Sequence, residues 1–573
     1  MTPVKPAALA LQCLLHWERS TPDRVALSQP LGDGTVRDFT WAQVGSEVRR
    51  MAAHLQSQGW ERGASVAILS KNCAWWLMSD LAIWMAGYVS VALYPTLAAS
   101  TVAQILVHSD ARACFIGKLD GWAQMRPGLP AGLPCISYPL SPPEFTATAL
   151  PHNRWDAICA RTAPLPFSVE GEGLRGADEL AALIYTSGTT GAPKGVMHSF
   201  GNFAWAMDAA LQRVPMTADD RMLSYLPLAH VVERVLVEHG WLRSGFRVYF
   251  ADTLDTFAAD MQRARPTIFF SVPRLWVKFQ QGVHHKLSPA RLNLLLAIPV
   301  VGTLVRRKLL QALGLDQCRF AAGGAAPMPM ALLAWYRRLG LPLNEGYGMS
   351  ENLAVSHLTE AGQNQEGSVG PPYRGVQARI DAQTGEIQTL SGAQMLGYYK
   401  DPALSRAALT GDGWLRTGDK GQIDVRGNLH ITGRIKDLFK TSKGKYVAPA
   451  PIEDRLALHD AVEACIVTGA NLGQPLGMVM LNAHAAQDAL DATARVALTR
   501  SLEAHLLTVN AALDPHEQLA CLIVVTTPWS VDNDIVTPTF KVKRNRIEEV
   551  YAVQFEGWEA SGRKVIWEGE SAG

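Results

Sequence analysis

Residues 180–195 read LAALIYTSGTTGAPKG, an unbroken apolar run followed by a small, hydroxyl-rich loop that ends in a lysine and a glycine. The run LAALI has the length and composition of a buried strand. In the loop, Gly188 and Gly191 let backbone N–H groups approach anionic oxygens, Thr186, Ser187, Thr189 and Thr190 add hydroxyl donors, and Lys194 adds a full positive charge. Such a loop can grip a nucleotide triphosphate. It is not the G-x-x-x-x-G-K-[ST] loop of nucleoside triphosphatases, because the spacing differs and Gly195 follows the lysine. A plain Ser/Thr/Gly connector shares the composition, but eleven ordered positions from Tyr185 to Gly195 argue against it.

Outward from this stretch, apolar strand-like runs at 65–69, 89–93, 113–116 and 267–272 alternate with longer amphipathic segments. That alternation predicts a layered α/β architecture with substantial parallel sheet. Ligands of such sheets gather beyond the carboxyl ends of strands, where the loop after Ile184 and the segment AAGGAAP at 321–327 both fall. Residues 385–433 are rich in Gly and Asp and carry short alternating runs (GEIQTL, GQIDV, NLHITG), which read as a small β subdomain. The charged stretch Arg434-Ile435-Lys436-Asp437 follows, and the domain boundary is placed there, giving domains 1–435 and 436–573.

With 573 residues the chain exceeds one core, and 48% hydrophobic content with a net charge of +1 excludes a disordered chain or a polyanion binder; nucleic acid is not an expected partner. The eight cysteines are scattered with no C-x-x-C pair, which suits a reducing compartment, and the N-terminus lacks the pattern of a secretory signal; a cytoplasmic protein is expected. The most membrane-like stretch, AWWLMSDLAIWMAGYVSVAL at 74–93, contains Asp80 and is punctuated by Gly87 and Pro95, so a buried helix followed by a strand is expected. A second apolar stretch, 292–305, is bracketed by Arg291, Arg306, Arg307 and Lys308. It reads foremost as an interior helix pair broken at Pro299, with an anionic bilayer surface as the alternative. The sequence is compatible with peripheral membrane contact and with a homodimer.

Further segments follow the loop in a fixed order: LPLAHVVER (226–234), NEGYGMSEN (344–352), GWLRTGDKG (413–421), GRIKDLFKTSKGKYVAP (433–449) and TPTFKVKR (537–544). This set resembles the adenylate-forming superfamily of acyl-CoA synthetases, luciferases and nonribosomal adenylation domains, over essentially the whole chain. LPLAHVVER, VPRLW (272–276), TSKGKYVAP and TPTFKVKR look most like its long-chain fatty acyl-CoA synthetase branch. The resemblance implies a large N-terminal domain of layered α/β subdomains plus a small β subdomain, with a smaller mobile α+β C-terminal domain. It also implies a ligase that uses ATP, Mg2+ and CoA to turn a fatty acid into acyl-AMP and then acyl-CoA. Adenylation of another carboxylic acid, transfer to a carrier protein and a non-catalytic acyl-binding descendant are the alternatives.

By the same resemblance, Lys541 reaches the carboxylate and α-phosphate during adenylation, with Lys543 and Arg544 as rivals, and Glu351 holds Mg2+. Lys194 and the loop from Thr186 to Gly191 take the phosphates; Asp419 and Arg434 take the ribose. Gly323, Gly324, Ala325 and Ala326 form a flat wall for the purine, on which Tyr347 stacks, with Gly348 and Ser350 beside it. His230, Gly323 and Gly346 belong to the substrate pocket, His230 as a shaping residue. Glu233 and Arg234 pair with each other or cap a helix in the simplest reading, and Trp205, Trp241 and Trp276 are candidates for the acyl tunnel. Lys436 matches the hinge of a domain rotation that brings Lys440, Lys443 and Gly444 to a CoA tunnel. The unspecific alternative for that last segment is a surface hairpin turn.

Overall fold

The structure, a computed structural model, describes residues 8–147, 152–167, 175–187, 193–326, 328–360, 365, 367–530, 533, 535–536 and 542–570. The chain divides into two compact units, residues 1–365, 369–378 and 389–415 forming one, and 366–368, 379–388 and 416–573 the other.

Strand period and burial explain the first unit. Its eight-stranded sheet runs Gly397–Tyr398, Pro193–Ser199, Leu180–Ser187, Val89–Leu93, Ser65–Leu69, Ala113–Ile116, Cys135–Ser137, His152–Arg154. From Leu180–Ser187 onward the neighbours are parallel, while Pro193–Ser199 and Gly397–Tyr398 add antiparallel pairs at one edge. Along Ser65–Leu69, Val66 and Ile68 join a core with helices Trp41–Gln56 and Ala74–Met85, whereas Ala67 and Leu69 join another with helix Ala99–His108. Both faces are covered, which is why these strands are apolar throughout rather than alternating.

Helix Ala74–Met85 is buried along its whole length, as a helix apolar on every side must be, and strand Val89–Leu93 follows it. Asp80 is tolerated inside because Arg234, itself fully buried, makes an ion pair with it and a second one, at 3.2 Å, with Glu238. Arg234 opens a π-helical turn, Arg234–His239, in the segment that follows LPLAH. Two four-stranded sheets complete the unit, one ordered Arg221–Ser224, Arg247–Phe250, Val25–Pro30, Val36–Thr40 and one ordered Ile268–Ser271, Phe320–Gly324, Leu343–Tyr347, His357–Leu358.

The apolar stretch 292–305 departs from the interior position expected of it. It forms helices Pro289–Ala297 and Pro299–Ala312, broken at Pro299 as predicted, but Leu294, Ile298, Val300, Val301 and Leu304 are exposed.

Most of a five-stranded sheet lies in the second unit, ordered Ser368–Gly370, Leu429–Arg434, Leu415–Ile423, Glu386–Leu390, Gln377–Ile380. The β subdomain therefore begins some residues before Gly385, where its alternation is first visible in sequence. A four-stranded sheet, Val462–Thr468, Leu476–Leu481, Leu522–Val525, Val565–Trp567, packs Val479 and Val524 with Leu502 and Leu506 of helix Ala492–Ala511 on one face. On the other face, Met478 and Ile523 meet Ile547 and Tyr551 of helix Arg544–Ala560. This is the α+β layering expected of the C-terminal part.

Candidate active site

The phosphate-type loop is the connection of a hairpin. Thr186 faces Lys194 and Ser187 faces Pro193 across the antiparallel pair Leu180–Ser187 and Pro193–Ser199, which fixes the register of the loop's neck. Gly188, Thr189, Thr190 and Gly191 lie outside the described residues, as does the side chain of Ser187. Lys194 is half-buried, with its Nζ 5.9 Å from the centre of the Tyr398 ring.

Tyr398 links that lysine to the predicted metal-binding carboxylate. Its phenol donates a 2.8 Å hydrogen bond to Glu351 Oε1. Burial, reinforced by the Glu351 charge and this hydrogen bond, pushes the Tyr398 pKa far up, so the phenol keeps its proton and remains a donor. Glu351 itself is buried, and its backbone carbonyl accepts from Met395 N at 2.8 Å. On the neighbouring residue, the Ser350 carbonyl lies 2.7 Å from His198 Nε2. Burial pushes His198 down to about 4, so the ring is neutral near pH 7, and a carbonyl partner requires the proton on Nε2. Strand Pro193–Ser199 thus holds both the lysine and, through His198, the segment bearing the carboxylate.

Gly348 is required for a steric reason: a Cβ there would lie 2.5 Å from Cα and C of Ala354. That approach arises because Leu353 and Ala354 both adopt positive φ, 52° and 58°, folding the chain back after the single 3-10 turn Ser350–Asn352. The glycine wall follows the same logic. Strands Phe320–Gly324 and Leu343–Tyr347 are parallel, with Gly323 opposite Glu345 and Gly324 opposite Gly346. A Cβ on Gly324 would meet Gly346 O at 2.7 Å, and one on Gly323 would meet Met328 Sδ at 2.8 Å. Past the strand end, Ala325 has φ +69° and both Ala325 and Ala326 are exposed, leaving a surface of backbone and methyl groups beside half-buried Tyr347. Glu345 keeps this wall in place, since its Oε1 accepts from Met328 N at 3.0 Å.

His230 is the N-cap of the short helix Val231–Glu233, its Nδ1 accepting from Val232 N at 3.3 Å. Glu233 and Arg234 do not pair with each other, contrary to the simplest reading. Glu233 Oε1 instead accepts from Ser224 Oγ (2.8 Å), Tyr225 N (3.0 Å) and Asn72 Nδ2 (3.2 Å), while Asn72 Oδ1 accepts from Leu228 N at 3.0 Å. Together they staple the LPLAH segment to the strand before it. Burial pushes the Glu233 carboxyl up to about 8, against the hydrogen bonds it receives. The tryptophans offered for the acyl tunnel are spent on packing: Trp241 stacks on Trp41 at 4.6 Å and Trp276 packs edge-on to Tyr336 at 5.0 Å, both fully buried, and Trp205 lies against Gly392.

In the second unit, Asp419 and Arg434 are direct cross-strand partners, with Arg434 Nε donating to Asp419 Oδ1 at 3.0 Å. Glu386 supports the preceding turn, one oxygen accepting from Gly418 N and the other from Arg416 Nη1, both at 3.0 Å. Lys436 is exposed in the turn after the strand, where Ile435 N donates to Gly418 O at 2.9 Å. Lys440, Lys443 and Gly444 belong to the hairpin of Phe439–Lys440 and Tyr446–Val447, as the unspecific reading of TSKG also anticipated. Gly444 has φ +77°, and Lys440 Nζ lies 5.7 Å from the Tyr446 ring centre. Lys541 lies outside the described residues. Its rival Arg544 is committed elsewhere, to Glu453 at 2.6 Å and to the Val467 carbonyl.

Tyr398, His198, Glu345 and Glu386 escaped the sequence reading. Each acts through a partner far along the chain, and only Tyr398 carried a local hint, an aromatic pair between Gly397 and Lys400 on an edge strand.

Comparison with known proteins agrees with this layout. A family model described as AMP-binding enzyme matches residues 14–399, and one described as AMP-binding enzyme C-terminal domain matches 436–559. The chain is 30% identical to the long-chain-fatty-acid–CoA ligase FadD15 of Mycobacterium bovis, over 94% of this chain and 95% of that one. It is 29% identical to the peroxisomal long chain acyl-CoA synthetase 6 of Arabidopsis thaliana, over 91% and 82% of the two chains. The A-PCP didomain of carboxylic acid reductase from Segniliparus rugosus, solved in complex with AMP, shares the fold with a TM-score of 0.78 at 22% identity, over 97% of this chain and 83% of that one.

Proposed function

The chain belongs to the AMP-binding enzyme family, and from that premise we propose how its residues divide a two-step reaction. It is a fatty acid CoA ligase of the long-chain acyl-CoA synthetase branch. ATP and a fatty acid give acyl-AMP and pyrophosphate, and CoA then takes the acyl group and releases AMP.

The first step sets one anion against another. A carboxylate about 4 Å from a phosphate charge is repelled by roughly 4 kcal/mol at a near-surface effective dielectric. Lys194 and the hydroxyls and N–H groups from Thr186 to Gly191 hold the phosphates, and Lys541 bridges the attacking carboxylate and the α-phosphate. Glu351 would hold Mg2+, which when bound neutralises charge across phosphate oxygens. A buried carboxylate fits that ion, which leans on one or two carboxylates plus substrate phosphates. Tyr398 orients the Glu351 carboxylate by donating to one of its oxygens. Adenine lies against Gly323, Gly324 and Ala325 with Tyr347 stacked on it, Gly348 and Ser350 close the same corner, and Asp419 with Arg434 receives the ribose. The acyl group lies beside Gly346 and His230, the latter positioned by Asn72 and Glu233.

The second step needs the adenylation lysine withdrawn. We take 435/436 as the functional domain boundary, Lys436 as the hinge, and Lys440, Lys443 and Gly444 as the lining of the CoA path. Exposure of Lys436 in a turn and the positive φ of Gly444 at an exposed hairpin end support this reading. We place the enzyme in the cytoplasm, in peripheral contact with a bilayer, where its substrate dissolves; among the described residues no helix is long and apolar enough to cross a membrane.

The observation that carries the proposal is the contact of Lys194 and Glu351 with one tyrosine, Tyr398, inside the unit where most of the AMP-binding match falls. AMP formation across acids from acetate to long-chain and aryl carboxylates, with and without CoA, tests it. Long-chain acids turning over only with CoA is the expected result; turnover of aryl acids alone, or no thioester with any acid, overturns it. Lys541→Ala should lower pyrophosphate release by about 10²–10³-fold while sparing CoA attack on supplied acyl-AMP. Equal loss of both steps removes the lysine from the adenylation role.

A further inference from the structure

The hairpin of helices Pro289–Ala297 and Pro299–Ala312 is tightly made, since a Cβ on Gly302 would lie 2.7 Å from Leu296 O. Residues 292–305 contain no charged side chain. Such a stretch normally turns inward, yet Leu294 is 67% exposed, Val300 74% and Leu304 55%, with Ile298 and Val301 also open to solvent. A contiguous aliphatic patch of this kind marks an interaction surface rather than ordinary surface scatter.

The surrounding charge identifies the partner. Arg291, Arg307 and Lys308 flank the tip and are exposed. Between Asp260 and Asp316 the chain has nine Lys and Arg residues and no Asp or Glu, so along the sequence the basic groups near the tip have no acidic counterweight. A second copy of this face would bring the same positive charge against it, which disfavours a symmetric dimer here. The exposed apolar side chains of the tip are all aliphatic, with Asn293 and Thr303 among them, and none is the Trp or Tyr anchor around which protein interfaces concentrate their affinity. An apolar tip ringed by cations is instead the arrangement of an interfacial anchor, whose side chains enter the headgroup boundary while basic residues meet lipid phosphates.

We propose that this hairpin docks the enzyme on anionic lipid bilayers. The inference deepens the fatty acid reading and rests on it only for its purpose, which is to place the ligase where its substrate is dissolved.

The test is co-sedimentation of the full-length protein with phosphatidylcholine vesicles with and without phosphatidylserine, at low and high salt. Binding should require phosphatidylserine and weaken with salt. Val300→Asp with Leu304→Asp should reduce vesicle affinity by about tenfold or more, and Arg307→Glu with Lys308→Glu by a similar factor. Both variants alter exposed positions, so ligase activity on a soluble short-chain acid should be retained. Absence of wild-type binding to phosphatidylserine vesicles, or equal binding by the variants, overturns docking while leaving the ligase reading intact. Conversion of a dimer to a monomer by the Asp variant, without loss of vesicle binding, also overturns it and assigns the face to a second copy of the chain.

Discussion

The two units hold the residues proposed for the site differently. In the first, Gly348, Gly324 and Gly323 occupy places where a Cβ would lie 2.5, 2.7 and 2.8 Å from other atoms, and buried Glu351 accepts from half-buried Tyr398 while its own carbonyl and that of Ser350 are bonded to Met395 and His198. In the second, Asp419 is buried and fixed by its cross-strand pairing with Arg434, but Lys436, Lys443 and Gly444 are exposed on turns, and the nearest atom to a Cβ on Gly444 is 3.8 Å away. The first arrangement is rigid, as the proposed reaction between anions demands. The second leaves Lys436, Lys443 and Gly444 room to be repositioned, as the proposed alternation between two half-reactions demands.

The comparison breaks most sharply at Glu351. Glu351→Gln keeps the shape and removes the charge, so ATP–pyrophosphate exchange should fall by about 10³-fold while CoA attack on supplied acyl-AMP is much less affected. A loss below tenfold would mean that the first unit does not use this carboxylate to handle phosphate charge.

Next in size is the acid sensitivity of the first unit, tested through His198. Its folded pKa is about 4 against an ordinary 6.5, because burial disfavours the imidazolium. Between these values the unfolded chain binds the proton and the folded chain does not, so stability is full above pH 6.5 and is lost as pH falls toward 4. The shift corresponds to an effect on the order of 3 kcal/mol. Denaturant midpoints from about pH 7 to 4 should therefore fall more steeply for the wild type than for His198→Gln, which offers an amide donor to Ser350 O but cannot titrate. Parallel slopes would show that His198 titrates alike in the folded and unfolded chain.

These buried supports were the part least legible in sequence. Strand Leu180–Ser187 and helix Ala74–Met85 could be read directly, because an apolar run between loop signals has one economical fate; Lys194 stood out because loop chemistry is local, whereas Glu351 and Gly348 were reached only through the family resemblance of their segment. Tyr398 and His198 could not be found that way, since Tyr398 acts only after Gly397–Tyr398 pairs with Pro193–Ser199 at a sheet edge, and His198 only through Ser350, far along the chain. Glu233 and Arg234 illustrate the same limit: adjacent in sequence, they take separate partners in Asn72 and Asp80, more than 150 positions away. Residues 292–305 show the converse failure. Apolar composition reports a need for burial without saying whether the chain itself provides it.

The smallest effects, and the closest comparison, come from one substitution made twice. Gly348→Ala drives a methyl group into the Ala354 backbone, and overpacking of this kind costs about 1–3 kcal/mol and displaces the Glu351 segment, so pyrophosphate exchange should drop by about 100-fold. Gly444→Ala meets no atom closer than 3.8 Å and pays only for φ +77° in a residue with a side chain, about 1 kcal/mol on an exposed turn. Adenylation should stay within about twofold of wild type, and thioester formation should slow by only a few-fold if the added methyl narrows the path to CoA. An equal loss of adenylation at both glycines would show that the hairpin end is as much a part of the adenylation site as the Gly348 turn. That outcome would dissolve the division of labour between the units, because a methyl that meets no atom closer than 3.8 Å cannot slow the first step unless the hairpin end takes part in it.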